Sequence, residues 1–210
     1  MNLEEREKEL KKRHSYPYKW GRLQNDYYDN LTNFIYSTIR FKDLLTEIEK
    51  RFCGKEEYES YLHYAINRWY NFWSANSIEK IFHSLSGVEA ASDERDRLVD
   101  FSIDGIQFDH KSSIFPKGFG KNLSYAQKHP GELIDWLYKH QSQQKRKHLK
   151  NRLFIIFYSR KSSHWKLKAE LHWIKSLIED YVWNFDRRNL YHFKSTNGVI
   201  IQSDIIWAIK

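Results

Sequence analysis

One cysteine, three prolines and eight glycines in 210 residues are low counts, and each scarcity excludes something. A lone Cys53 permits neither an intramolecular disulfide framework nor a Cys-rich zinc site. So few prolines and glycines weigh against long disordered linkers, and no internal repeat is visible. Long apolar runs are also missing. The longest near the predicted sheet, LFIIFY at 153–158, is far too short to span a bilayer. No apolar segment follows the charged start MNLEEREKELKKR, so a secretory signal is not expected, and a cytoplasmic protein with no membrane partner is. Ten histidines are present without an HExxH spacing, and His164, His172 and His192 are scattered, which suits structural or surface roles. There is no Gly-rich loop of the phosphate-cradling type; Lys117-Gly118-Phe119-Gly120 lacks the spacing.

Positive charge and aromatic rings are what the chain has in quantity. Lys and Arg number 35 against 27 Asp and Glu, a formal charge of +8, which favours a polyanionic partner, nucleic acid before an anionic membrane surface. Eight Trp and fourteen Tyr suit either a core or stacking on bases, and composition leaves both open.

Hydrophobic periodicity predicts a helical region over residues 1–76. After the charged opening, YPYKWG at 16–21 is a break, and amphipathic stretches follow at about 22–38, 41–52 and 55–73. Ser77 is the predicted N-cap of a short helix through Leu85. Residues 77–210 have a different texture, with a short strand at 88–92, a hairpin over 98–113, a helix at 132–150 and a strand at 151–159. The apolar run of that strand reads as buried on both faces. A helix at about 165–183 and terminal edge strands in NLYHFKS, GVIIQS and IIWAI complete an α/β arrangement around a mixed sheet.

The hairpin carries the chemistry. Asp104-Gly105 is a strong signal for a type I′ turn, whose two central residues both need positive φ. Counting outward pairs Ile103 with Ile106, Phe101 with Phe108, and Asp100 with Asp109. One face then holds Val99, Phe101, Ile103, Ile106 and Phe108, and the other holds Asp100, Asp109 and Lys111. Directly opposed side chains have Cβ atoms about 4.5–5.5 Å apart, where like charges are destabilising. A bound divalent cation would reverse that sign, because hard metals prefer carboxylate oxygens. Lys111 beside such an ion could steady developing negative charge or orient a water, the equipment of metal-assisted phosphodiester hydrolysis. The plainer alternative is a wet outer face on which Asp and Lys only confer solubility.

Asp100, eight intervening residues and then Asp109-His110-Lys111 resemble the PD-(D/E)XK nuclease superfamily, with its restriction-endonuclease-like αβββαβ core. The resemblance covers roughly residues 77–159 and leaves the N-terminal helices as an extension. It departs from the name-giving motif at Val99, where the proline would stand. What it implies is a Mg²⁺ site, with Mn²⁺ able to substitute, held by Asp100, Asp109 and the backbone carbonyl of His110. Lys111 becomes the catalytic lysine. Glu79 is the candidate acid on the preceding helix, with Glu89 its rival. The implied activity is that of a nuclease, a DNA endonuclease first, of a restriction, repair or mobile-element kind, with DNA favoured over RNA and a homodimer serving two cuts in a duplex. Replacing Asp109 or Lys111 by Ala is expected to abolish cleavage and leave the fold intact.

The densest basic run, KHQSQQKRKHLKNR at 139–152, offers Lys139, Lys145, Arg146, Lys147, Lys150 and Arg152 to backbone phosphates, or is simply a solvated helix face. Gln141 and Gln144 precede the densest part of it, and Ser112-Ser113 follow the triplet. Two other readings of the chain stay open: a non-catalytic nucleic-acid-binding protein on the same fold, and a helical module that binds a protein partner through its aromatic N-terminal half.

Overall fold

The computed structural model describes residues 1–91, 99–140, 150–161, 163–194 and 198–210. Contacts divide the chain into two units, Met1–Ile78 with Ala169–His172, and Glu79–Lys168 with Trp173–Lys210. The first boundary falls inside a helix, two residues beyond the division expected at 76.

The first unit is built on helices α1 (Leu3–Lys12), α2 (Asp26–Leu31), α3 (Phe41–Phe52) and α4 (Tyr58–His83). Asn2 and Glu5 close a reciprocal capping box that satisfies orphan N–H groups at the start of α1. Aromatic rings fill its core: Tyr64, Trp69 and Tyr70 are buried with Phe41 and Phe52, while Tyr18, Tyr27 and Tyr36 stay exposed. Where rings leave polar atoms inside, backbone carbonyls meet them. Trp69 Nε1 donates to the Thr38 carbonyl at 2.6 Å, and Trp73 Nε1 to that of Ile35 at 2.9 Å. Buried Arg13 likewise donates to the carbonyls of Tyr16 and Pro17 and to the Asn67 side chain.

Helix α4 corrects the sequence reading. Two helices, 55–73 and 77–85, were expected, with Ser77 capping the second; one 26-residue helix runs through both. No Gly or Pro interrupts residues 58–83. The Ser77 hydroxyl turns back to the carbonyl of Trp73 at 2.7 Å, an i−4 bond that lets serine sit inside a helix.

The second unit is a six-stranded mixed sheet flanked by helices. Its strands are β1 (Val88–Ala90), β2 (Phe101–Ile103), β3 (Ile106–Ile114), β4 (Arg152–Tyr158), β5 (Tyr191–Lys194) and β6 (Ile200–Ile209), in the order β1-β2-β3-β4-β6-β5. β3 and β6 each run parallel to β4, and the remaining pairs are antiparallel. β4 is the central strand, buried from Arg152 to Phe157, as its unbroken apolar run requires. Helices α5 (Leu123–Lys128) and α6 (Pro130–His140) form the crossover from β3, and Leu133, Ile134 and Leu137 pack with Phe154 and Ile156 of β4. Here the expected helix at 132–150 begins earlier, at Pro130, a residue suited to the first helical turn. Residues 141–149 of the expectation lie outside the described residues. Near 165–183 a 3₁₀ segment (His164–Ala169) precedes α7 (Leu171–Trp183).

The C-terminus differs most. Instead of two edge strands, residues 200–209 form one strand inside the sheet, between β4 and β5. Asp204 reads as a break in an apolar run, but its carboxylate accepts from Tyr181 Oη at 3.0 Å and from the Ile205 N–H at 2.7 Å. A half-buried acid so provided for need not end a strand. No helix among the described residues is long and apolar enough to cross a membrane.

Candidate active site

The hairpin forms as counted. Asp104 and Gly105 both have positive φ, 50° and 74°, and the ladder pairs Ile103 with Ile106, Ser102 with Gln107 and Phe101 with Phe108. The aromatic face is the buried one: Phe101 stacks on Phe82 of α4 at 4.1 Å between centroids, and Phe108 is fully buried.

One step further the expected register fails. Asp100 lies outside β2, and its N–H donates to the carbonyl of Phe108, the residue that Phe101 already pairs with, at 2.9 Å. Two residues thus face one, the arrangement of a bulge, which re-aims a side chain. Asp100 does not confront Asp109. Its Oδ2 accepts from the His110 N–H at 2.7 Å and lies 2.8 Å from His110 Nδ1. Its carbonyl accepts from the Ala91 N–H at 3.2 Å and lies 3.0 Å from His83 Nε2 of α4. Asp100 Oδ1 has no hydrogen-bond partner among the described residues. Burial pushes the Asp100 carboxyl upward, but the His110 ring, the His110 N–H and the charge of Lys111 together hold it below its ordinary value.

Asp109 is paired differently. It is buried, in register with Arg152 of β4, whose partner in turn is Ser203 of β6. Asp109 Oδ1 accepts a very short bond from Lys111 Nζ, and Oδ2 faces Arg152 Nε at 3.3 Å. The two cations are not alike. The Lys111 side chain is 43% exposed and the Arg152 side chain 10%. Arg152 also lies over the Tyr138 ring of α6, 4.9 Å from its centroid, and Tyr138 Oη bonds the Lys150 carbonyl at 2.6 Å and Ser203 Oγ at 2.7 Å. Burial raises the Tyr138 phenol, which stays a neutral donor.

Electrostatic repulsion between the acids, the oddity of the sequence, is therefore absent from the fold: each carboxylate meets its own partners. Asp109 and Lys111 share a sheet face by strand alternation. Asp100 reaches the backbone of the intervening residue, close enough to feel the lysine. His110 is buried beside Phe82 and Phe101, and its Nε2 has no hydrogen-bond partner among the described residues.

Glu79 is half-buried and has no partner among the described residues. It lies one helical turn before His83, on the same face of α4, and His83 touches Asp100. Glu89, its rival, is exposed on β1 and accepts from Ser102 Oγ at 3.3 Å. Of the basic run, Lys139 is exposed and paired with Asp135, Lys150 is exposed, and Lys145, Arg146 and Lys147 lie outside the described residues, as do Gln141 and Gln144. Arg152 is a correction. Expected to meet phosphate, it is buried against Asp109 because its strand passes through the middle of the sheet. Tyr138, Ser203 and His83 were not singled out by motif, since their roles depend on strand order and helix placement.

A groove of about 760 Å³ at the hairpin tip, lined by Leu85, Ile103, Val182 and Trp183, contains none of these acids. Of its carboxylates, Asp104 and Glu179 pair with Arg187 and Lys175, and Asp180 accepts from the Asn184 amide at 3.2 Å. Asp100 and Asp109 lie outside that groove, where Asp100 Oδ1 is unpartnered among the described residues and the Lys111 side chain is 43% exposed. No family model matches the chain, and neither a curated protein nor a solved structure matches it.

Proposed function

We propose that the second unit is a Mg²⁺-dependent nuclease of the restriction-endonuclease-like fold, hydrolysing phosphodiester bonds, with DNA as the first substrate. One observation carries this reading: Asp100, Asp109 and Lys111 gather where β2 leaves the β2–β3 ladder, with Lys111 bonded to Asp109 and its charge felt by Asp100. The element order α4-β1-β2-β3-α6-β4, an αβββαβ series with α5 inserted, supports it.

The donor set suits a hard cation. Carboxylate oxygens are its preferred ligands, Asp100 Oδ1 is unpartnered among the described residues, and Asp109 Oδ1 is held by a lysine exposed enough to swing away. Asp100, Asp109 and the carbonyl of His110 would hold the ion, which when bound polarises a phosphate oxygen and lowers the pKa of a water. Lys111 Nζ, freed from Asp109, faces the negative charge that develops on phosphorus-bound oxygen. Glu79, one helical turn before His83 on α4, would accept a proton from water. Exposed Lys139 and Lys150 supply sequence-independent attraction to backbone phosphate. Two copies would serve two strands.

A nicking assay on supercoiled DNA with Mg²⁺ tests this. Lys111→Ala should cut cleavage by about 10²–10³-fold, the scale of losing one charge-stabilising donor. Equal cleavage by the variant and the wild type would refute the assignment. A second reading rests on the pairing itself: both acids already have hydrogen-bond or ion-pair partners within the fold, as in a non-catalytic nucleic-acid-binding protein. Salt-dependent DNA binding without Mg²⁺-dependent cleavage would select it.

A further inference from the structure

Two cations hold Asp109, and only one of them can leave. Lys111 is half-exposed on a flexible stem, whereas Arg152 is buried, emerges from the central strand, and is sandwiched between Asp109 and the Tyr138 ring. Tyr138 is itself pinned by the Lys150 carbonyl and Ser203. Ser203 Oγ also accepts from the Arg152 N–H at 3.3 Å, so the same hydroxyl ties the backbone and the aromatic lid of the arginine. The row Asp109–Arg152–Ser203 crosses three adjacent strands in register.

From this arrangement we infer that Arg152 is a positioning residue that reserves Asp109 Oδ2, so that Asp109 offers a divalent cation only Oδ1, and offers it weakly. This inference rests on the metal-site reading above. A fixed positive charge on the far oxygen repels an arriving cation and denies it a bidentate grip, yet it sets the carboxylate plane and so the direction of Oδ1. Lys111 competes for the same Oδ1 and must yield it. The fixed cation thereby trades affinity for orientation, and the mobile one couples arrival of the metal to release of the lysine toward substrate.

The discriminating feature is a change of opposite sign to damage. If Arg152 only maintained the fold, its loss would loosen the site and weaken metal binding. If it reserves Oδ2, its loss should tighten binding. Isothermal titration of Mn²⁺ into the full chain, without substrate, reads this directly. Arg152→Gln should bind one Mn²⁺ about tenfold or more tightly than wild type, from removal of one unit charge next to the ligand. With supercoiled DNA added in a separate assay, it should cleave more slowly at saturating metal. Wild type should bind in the 10⁻⁴–10⁻³ M range, roughly that of weak carboxylate sites. Unchanged or weaker Mn²⁺ binding by a folded Arg152→Gln overturns the inference. Should that variant not fold, the wild-type titration still decides, since a wild-type Kd tighter than about 10 µM is incompatible with a one-oxygen, cation-opposed ligand. Failure of the underlying reading looks different: wild type would then bind no Mn²⁺ at all, and Asp100→Asn would change nothing.

Discussion

Asp109→Ala is the perturbation that separates the two cations energetically. The Asp109 and Arg152 side chains are each 10% exposed, with Nε and Oδ2 3.3 Å apart. Two unit charges at that separation attract by about 5 kcal/mol at an effective dielectric of about 20. Most of this offsets the cost of burying both ions, so the net worth of the intact pair is small. Removing one member is another matter, because it leaves a buried charge without its partner; such single removals cost about 3–5 kcal/mol. Lys111, half-exposed, contributes no more than about 1 kcal/mol to the fold through the same carboxylate. Urea unfolding should therefore show Asp109→Ala and Arg152→Ala each strongly destabilised and Lys111→Ala nearly unaffected. In a double-mutant cycle, Asp109 and Arg152 should couple by about 2 kcal/mol or more, and Asp109 and Lys111 by less than about 1 kcal/mol. Replacing the pair together, as Asp109→Leu with Arg152→Met, should recover most of the loss. Equal coupling to both cations would refute the division into a fixed and a mobile partner. A practical correction follows for the activity test. The sequence reading treats Asp109→Ala as neutral to the fold, and its buried partner says otherwise, so Lys111→Ala is the cleaner probe.

Asp100→Asn should alter the pH dependence of stability. A carboxyl held below its ordinary value in the fold stabilises above the unfolded pKa of about 3.9, and that contribution is lost as pH falls through the folded value. The stability difference between wild type and variant should hold steady above about pH 5 and shrink toward pH 3 in paired urea melts; a constant difference at both pH values would sink the assignment. Phe82→Ala should cost about 3–5 kcal/mol, since it empties a fully buried site stacked on Phe101, and a loss below about 1 kcal/mol would mean that α4 does not anchor the hairpin.

Local chemistry is what the sequence carries most faithfully. The Asp104-Gly105 turn, the Phe101–Phe108 register and the double burial of 152–157 all follow from rules that involve only near neighbours: positive φ, a side-chain period of two, an apolar run of strand length. Asp100, Asp109 and Lys111 were found as a group for the same reason, being tied to one turn by counting. Serine in α4 and Asp204 in β6 mislead for a shared reason. Each reads as a break because its polar atom needs a partner, and the partner is supplied once the elements form: the Trp73 carbonyl one turn back in a continuous helix, and Tyr181 of α7.

What the sequence by itself determined was the turn, the Phe101–Phe108 register and the shared face of Asp109 and Lys111 on one strand. Only the tertiary structure decided how the charges of the acids are balanced. The bulge at Asp100 hands its carboxylate to His110, and the placement of β4 beside β3 brings Arg152, 43 residues away along the chain, against Asp109. A charge pair within a strand or turn is set by backbone spacing, and one between strands is set by which strands become neighbours. That order depends on the burial of the whole sheet, and no short stretch of residues contains it.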